Sequence, residues 1–355
     1  MKAIRVGVVG ASGYSGAVVA RLLASHPAMH LVFATSDKLS GEPVATHLGL
    51  SAPLPGDPDL RYVPNGSALE QADRCDAVFL ATAADVSMRL APEFAGKGKQ
   101  VVDLSGAFRL DAGAYPKWYG FDHGAPAWLD RAHYGLPELY GAPPSRGSPG
   151  SPAGAIVANP GCYPTPALLA LAPLLREKLV EPAGLVIDAK SGVTGAGKQT
   201  GEAFSFAEYG DDVHAYKLLA HQHTPEITRG LARFADGVKL TFTAHYLPVK
   251  RGLVATCYAR PRPGATAARV AECLADAYAK TPFVRAVAPD RVGLKRVVGT
   301  NACHVGATAD GDVVIAIGAI DNLLKGAAGQ ALQNLNLMNG RDESEGLTAL
   351  QPASP

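Results

Sequence analysis

The chain has 355 residues, 47% of them hydrophobic, and sets 33 Lys plus Arg against 32 Asp plus Glu for a formal charge of +1. That balance leaves no basic excess to follow a nucleic-acid backbone or an anionic membrane, and no run approaches the roughly 18 apolar residues of a membrane span, so neither partner is expected. The opening Met-Lys-Ala-Ile-Arg-Val-Gly-Val-Val-Gly lacks the apolar stretch and cleavage site of a signal peptide, which makes the expected location the cytoplasm.

The length predicts about two domains. Residues 3–10 form a short β-branched run ending in glycine, suited to a buried parallel strand. Helical spacing from Ala17 to Leu23 and a strand at Leu31–Thr35 follow, and Asp76–Thr82 and Gln100–Ser105 read as further strands with small or polar ends. Residues 141–154 are dense in Pro, Gly and Ser and predict a surface segment near a domain boundary. Beyond it, apolar runs at Leu185–Ala189, Lys239–Leu247, Val254–Arg260 and Val313–Ile317 alternate with helical patterns at Pro166–Leu179 and Ala267–Lys280. Leu324, Ala328, Leu332 and Leu335 then show helical spacing that suits a terminal helix packing back on the first domain. The fold class is therefore α/β: a Rossmann-type dinucleotide-binding domain over 1–155 plus 324–355, and an α+β catalytic and oligomerisation domain with a mixed sheet over 156–323.

Between the first strand and first helix lies Gly10-Ala-Ser-Gly13-Tyr-Ser-Gly16. Glycines there permit a tight turn and let backbone N–H groups approach a pyrophosphate at the helix N-terminus. Gly10, Ser12, Gly13, Tyr14, Ser15 and Gly16 are the expected dinucleotide ligands. After the second strand come Ser36, Asp37, Lys38 and Ser40. The hydroxyls and the cation suit a 2′-phosphate while Asp37 argues for a free ribose, and NADP(H) is the favoured cofactor.

Five cysteines, none in a Cys-x-x-Cys pair, predict free thiols. Cys162 stands in Asn159-Pro-Gly-Cys-Tyr-Pro-Thr165 just ahead of a helical run, where a helix N-terminus favours the nucleophilic thiolate. The other four fall in strand or helix patterns and are expected to be inert. A thiolate working beside a nicotinamide needs a proton donor and acceptor, and His221 and His223 supply candidates. No further Cys or His cluster completes a metal site, so no metal is expected.

These motifs, with Asp103-Leu-Ser-Gly-Ala-Phe-Arg109, Tyr134-Gly-Leu-Pro-Glu138, Lys190-Ser-Gly-Val-Thr-Gly-Ala-Gly197, His221-Gln-His-Thr-Pro-Glu226, Pro248-Val-Lys-Arg-Gly252, Gly299-Thr-Asn301 and Asp321-Asn-Leu-Leu-Lys-Gly326, occur in an order that resembles the N-acetyl-gamma-glutamyl-phosphate reductases of arginine biosynthesis, relatives of aspartate-semialdehyde dehydrogenase. The resemblance implies that Cys162 displaces phosphate from an acyl phosphate to give a thioester, which hydride from NADPH reduces to the semialdehyde. It makes His223 the acid/base with His221 close to the substrate. Arg109, Ser105, Asn159 and Lys190 become substrate-binding candidates, and Ser191, Gly192 and Asn322 cofactor contacts. It also implies a homodimer or homotetramer. Three other readings stand beside it: a reductase of a carrier-linked aminoadipyl phosphate in lysine biosynthesis, a Cys-His thiol hydrolase, and a dinucleotide sensor without turnover.

Overall fold

The computed structural model describes residues 3–145, 154–198, 211–348 and 350. The described residues divide into two compact units, one holding those up to Pro160 and from Ala327 to 348, the other those of Gly161–Gly326 with Leu350.

In the first unit, strands β1 (Ile4–Val9), β2 (Met29–Thr35), β3 (Tyr62–Val63), β4 (Ala77–Leu80), β5 (Gln100–Asp103), β6 (His133–Tyr134) and β7 (Ile156–Ala158) form one sheet in the order β3-β2-β1-β4-β5-β7-β6. Every pairing in it is parallel. Helices α1 (Tyr14–Ala24) and α2 (Ala84–Gly96) follow β1 and β4, so the strand order reverses between β1 and β4. Ligands of such sheets bind beyond the carboxyl ends of the strands at that reversal. The unit runs five residues past the 155/156 boundary read from the sequence, because β7 pairs with β5 and β6. Of the Pro/Gly/Ser stretch, residues 146–153 lie outside the described residues.

The terminal helix is shorter than the 324–355 span expected. A π-helical turn over Leu324–Ala328 leads into an α-helix at Gly329–Met338, and residues 349 and 351–355 lie outside the described residues. The α-helix belongs to the first unit, and buried amide hydrogen bonds tie it to that unit's strands and loops. Asn334 Nδ2 donates to Gly135 O at 2.8 Å, and Gln100 Nε2 donates to Met338 O at 2.9 Å.

The second unit holds β8 (Ala183–Gly192), β9 (Ala215–Tyr216), β10 (Lys239–Leu247), β11 (Leu253–Ala259), β12 (Val284–Ala286), β13 (Cys303–Ala309) and β14 (Val314–Ile320), in the order β12-β13-β14-β11-β8-β10-β9. The sheet is mixed, with β8–β10 and β12–β13 parallel and the rest antiparallel. Helices α3 (Pro164–Arg176), α4 (His223–Leu231) and α5 (Ala267–Tyr278) accompany it, and α3 is buried from Pro164 to Leu175. The small residues of β13 hid it from a pattern reading; a Cβ on Gly306 would come within 2.7 Å of Val287 O. No helix among the described residues is long and apolar enough to cross a membrane.

Candidate functional site

In the first unit the glycine loop follows β1, and its three glycines answer to different demands. Gly10 has φ +80°, and a Cβ there would stand 2.5 Å from Ala81 O. A Cβ on Gly16 would stand 2.3 Å from Gly10 O. Gly13 has an ordinary φ of −70°, and a Cβ would meet nothing nearer than 3.6 Å. The protein itself therefore requires the first and third glycines, and the second leaves an open cradle at the start of α1. No side chain caps that helix, so its first-turn N–H groups are available to an anion. The residues fit a dinucleotide pyrophosphate.

Ser12, Ser15 and Tyr14 stand around the cradle, with Tyr14 39% exposed. Ser36, buried, donates from Oγ to Ser12 Oγ at 2.9 Å. Asp37, the residue that argued for a free ribose, accepts from Asn65 N and Nδ2, both at 2.8 Å. Its carboxylate is thereby engaged, while Lys38 beside it is exposed.

At the end of β5, Asp103 is fully buried, and burial pushes its pKa up. It accepts from Ser105 N at 3.0 Å and Ser105 Oγ at 2.8 Å, and Ser105 Oγ in turn accepts from Ala107 N at 3.1 Å. Ser105 thus shapes the turn that carries Arg109, whose Nη2 donates to Leu104 O at 2.8 Å. Asn159 is buried with its amide engaged: Nδ2 donates to Ala327 O and Oδ1 accepts from Asn334 Nδ2, each at 3.1 Å.

The second unit assembles the cysteine and both histidines. Cys162 lies immediately before Tyr163, the N-cap of α3, and is the one cysteine of five that is not buried. Burial pushes the thiols of Cys75, Cys257 and Cys273 up to about 11, 12 and 11. Cys162, His221, His223, Lys217, Tyr216 and Tyr246 line a cavity of about 520 Å³. The π-helical turn packs behind the cysteine so closely that a Cβ on Gly326 would lie 3.0 Å from Cys162 Cβ.

The two histidines, ring centroids 4.8 Å apart, are not equivalent. His221 Nδ1 accepts from the His223 backbone N–H at 3.1 Å, which places the proton of a neutral ring on Nε2. Burial, helped by His223 and Lys217, lowers its pKa from 6.5 to about 2. His221 is therefore a neutral donor. His223, at the start of α4, has Nε2 3.9 Å from Glu226 Oε2, and the other oxygen of that buried carboxylate accepts from Gly161 N at 2.8 Å. One carboxylate thus touches both the histidine helix and the residue preceding Cys162.

The remaining sequence candidates are placed differently. Ser191 is buried at the end of β8, while Lys190 projects to the opposite face by strand alternation. There Lys190 pairs with Asp188, whose Oδ1 lies 3.1 Å from His245 Nδ1. Lys190 is not among the residues lining the cysteine cavity. Asn322 Oδ1 accepts from Gly252 N at 2.8 Å and Nδ2 donates to Thr194 Oγ1 at 3.0 Å. A Cβ on Gly192 would stand 2.8 Å from Val249 O. Asn322, Ser191 and Gly192 thereby support the turn that brings Gly195 to the cavity. The reading of residues missed Glu226 and Lys217; the i, i+3 spacing of His223 and Glu226 was the available signal for the first.

Comparison with known proteins shows the family and the fold. The family models for the semialdehyde dehydrogenase NAD-binding domain and dimerisation domain match residues 5–143 and 162–322. An N-acetyl-gamma-glutamyl-phosphate reductase of Magnetococcus marinus is 42% identical over 98% of this chain and 98% of its own. One from Geobacillus stearothermophilus is 41% identical over 98% and 99%. The chain belongs to the N-acetyl-gamma-glutamyl-phosphate reductase family. It is an oxidoreductase of the semialdehyde dehydrogenase group, with an NAD(P)-binding domain and a dimerisation domain. The same fold occurs in aspartate semialdehyde dehydrogenase II of Vibrio cholerae, with TM-score 0.67 and 16% identity over 95% of this chain and 98% of that one. It occurs equally in the Candida albicans aspartate semialdehyde dehydrogenase solved with NADP, with TM-score 0.67 and 18% identity over 95% and 98%.

Proposed function

We propose that this reductase converts N-acetyl-gamma-glutamyl phosphate to N-acetylglutamate 5-semialdehyde and phosphate, through a thioester on Cys162. The observation that carries the reading is one half-buried thiol at a helix N-terminus sharing a cavity with two histidines, one of them held neutral. Cys162 thiolate attacks the acyl carbon and phosphate departs with the bonding electron pair. A dinucleotide held at the glycine loop and the start of α1 would supply the hydride for reduction of the thioester. His223, whose ring stands beside Glu226, provides the proton taken up as the thiohemiacetal forms and removes it as the C–S bond breaks, releasing aldehyde and thiolate. His221 donates from Nε2 to the carbonyl oxygen as negative charge develops there.

Gly13 and the uncapped start of α1 are assigned to the pyrophosphate, and Ser36 with Lys38 to a 2′-phosphate, which makes NADPH the preferred cofactor. Arg109 is assigned to the leaving phosphate through its planar fork. Ser105, Asn159, Ser191, Gly192 and Asn322 take supporting positions in this scheme.

Lys190 is reassigned from substrate to subunit interface, and the assembly is a homodimer. One face of the second sheet carries α3 and α5; the other presents Val186 at 41% and Tyr258 at 38% exposure around the Asp188, Lys190 and His245 group. A two-fold pairing would set such a face, containing both signs of charge, against its own copy.

The test is NADP⁺ reduction with N-acetylglutamate semialdehyde, with and without phosphate. Turnover that depends on both supports the reading. Phosphate-independent turnover, or none, overturns it.

A further inference from the structure

The cavity beside Cys162 has one feature that the reaction above leaves unused. Lys217 is the one Lys or Arg among the described residues lining it, and no Asp or Glu lines it. Lys217 Nζ donates to the amide oxygen of Gln222 at 3.1 Å. That neutral acceptor engages one of the three ammonium donors and cancels none of the charge.

The backbone at this point is held rather than loose. Lys217 has φ +48° and Leu219 φ +57°, a left-handed conformation that side-chain-bearing residues seldom adopt. The turn is closed by Ala220 N–H donating to Lys217 O at 3.0 Å. Just before it, Tyr216 stacks on Tyr246 of β10 with ring centroids 4.1 Å apart and planes within 7°. Tyr216 also donates to Tyr163 Oη at 3.1 Å, next to the nucleophile. A tight, unfavourable turn pinned by aromatic contacts thus presents a cation to the cavity. Such strain persists where surrounding structure over-determines it, and it concentrates at ligand sites.

We propose that Lys217 determines specificity by binding the carboxylate at the end of the substrate remote from the reacting acyl carbon. The inference rests on the reaction assigned above, whose substrate carries a carboxylate besides the acyl phosphate. Charge-assisted contact with that carboxylate selects against chains lacking it. Arg109 is already assigned to the phosphate, so the two anionic ends of the substrate have separate cations.

The experiment is run towards acyl phosphate, with NADP⁺, inorganic phosphate and either N-acetylglutamate semialdehyde or 4-acetamidobutanal, the same chain without its carboxylate. The wild type should prefer the carboxylated aldehyde by about 10–100-fold in kcat/KM, the usual value of a charge-assisted contact. Lys217→Met should lose that preference through a raised KM for the carboxylated aldehyde, with phosphate KM and NADP⁺ affinity unchanged; any change in His221 on loss of the cation acts on both aldehydes alike and cancels in their ratio. Lys217→Arg should restore most of it. A preference that survives in Lys217→Met overturns the proposal, as does a raised KM for phosphate, which would make Lys217 a phosphate ligand. A wild type that oxidises neither aldehyde overturns the reaction itself, and this inference with it.

Discussion

The glycine loop and the cysteine cavity solve the problem of placing a ligand in opposite ways. Seven consecutive residues, Gly10 to Gly16, build the loop mainly from backbone. A Cβ on Gly10 or Gly16 would run into carbonyl oxygens at 2.5 and 2.3 Å, and Gly13 alone has room to spare. The cavity is built from side chains on separate segments: Cys162 before α3, Tyr216 at the end of β9 and Lys217 just after it, His221 and His223 around the start of α4, and Tyr246 on β10. A backbone site is specified locally and fails when a neighbouring atom is displaced. A side-chain site is specified by long-range packing, which also buries a member such as His221 and lowers its pKa.

Four measurements test that contrast. Cys162→Ser should lower kcat on the order of 10⁴-fold or more with NADPH affinity essentially unchanged, because a hydroxyl is a far poorer nucleophile than a thiolate. Titration of the variant with NADPH separates the two effects, and substantial residual turnover removes the covalent role.

His223→Asn should lower kcat by about 10²–10⁴-fold as a lost acid/base. His221→Asn should cost less, about tenfold, since a neutral Nε2–H donor is partly replaced by an amide N–H. If the order of the two variants is reversed, the proton-transfer assignment passes to His221.

Within the loop, the same substitution should have different consequences at two glycines. Gly16→Ala should destabilise the protein by about 1–3 kcal/mol, because the new methyl meets the Gly10 carbonyl and backbone has to shift. Gly13→Ala should change stability by less than about 1 kcal/mol yet weaken NADPH binding about tenfold. Thermal melts and cofactor titrations on both proteins check this; equal losses of stability would contradict the open cradle at Gly13.

The smallest effect is in pH. His221 is held near 2 when folded against 6.5 ordinarily, so between those values the unfolded chain binds a proton that the folded chain does not. Stability therefore rises with pH across that window and falls as pH drops below about 6.5, by up to about 1.4 kcal/mol per pH unit for each such group. Burial lowers His26, His123 and His304 in the same direction. Denaturant melts at pH 7 and pH 5.5 should show His221→Asn losing less stability than the wild type. An identical loss would mean that His221 takes up its proton in the folded protein.

Much of this is legible in the amino-acid sequence. The β1–loop–α1 start and the thiol ahead of α3 depend on contacts within a few residues, where glycine placement and helix-start signals act. The terminal helix was legible in its spacing, though its end at Met338 was not. Nor was β13, whose small residues carry no alternation. Lys190 shows why motif membership alone misplaces a side chain. It stands next to Ser191 in sequence, but strand alternation sends the two to opposite faces, and Asp188 holds the lysine there.

Local geometry and the period of apolar residues make the parallel and mixed sheets, the glycine loop, the one cysteine that is not buried and the two candidate histidines legible in the sequence. Only the tertiary structure decided the division of labour. It placed Glu226 between Gly161 and His223, buried His221 into neutrality, drew the amides of Asn159 and Asn322 into structural bonds, and brought Lys217 to the cavity wall. Burial, and the distance between groups far apart in the chain, set a side chain's charge and its free hydrogen-bonding capacity, and neither quantity exists until the chain has folded.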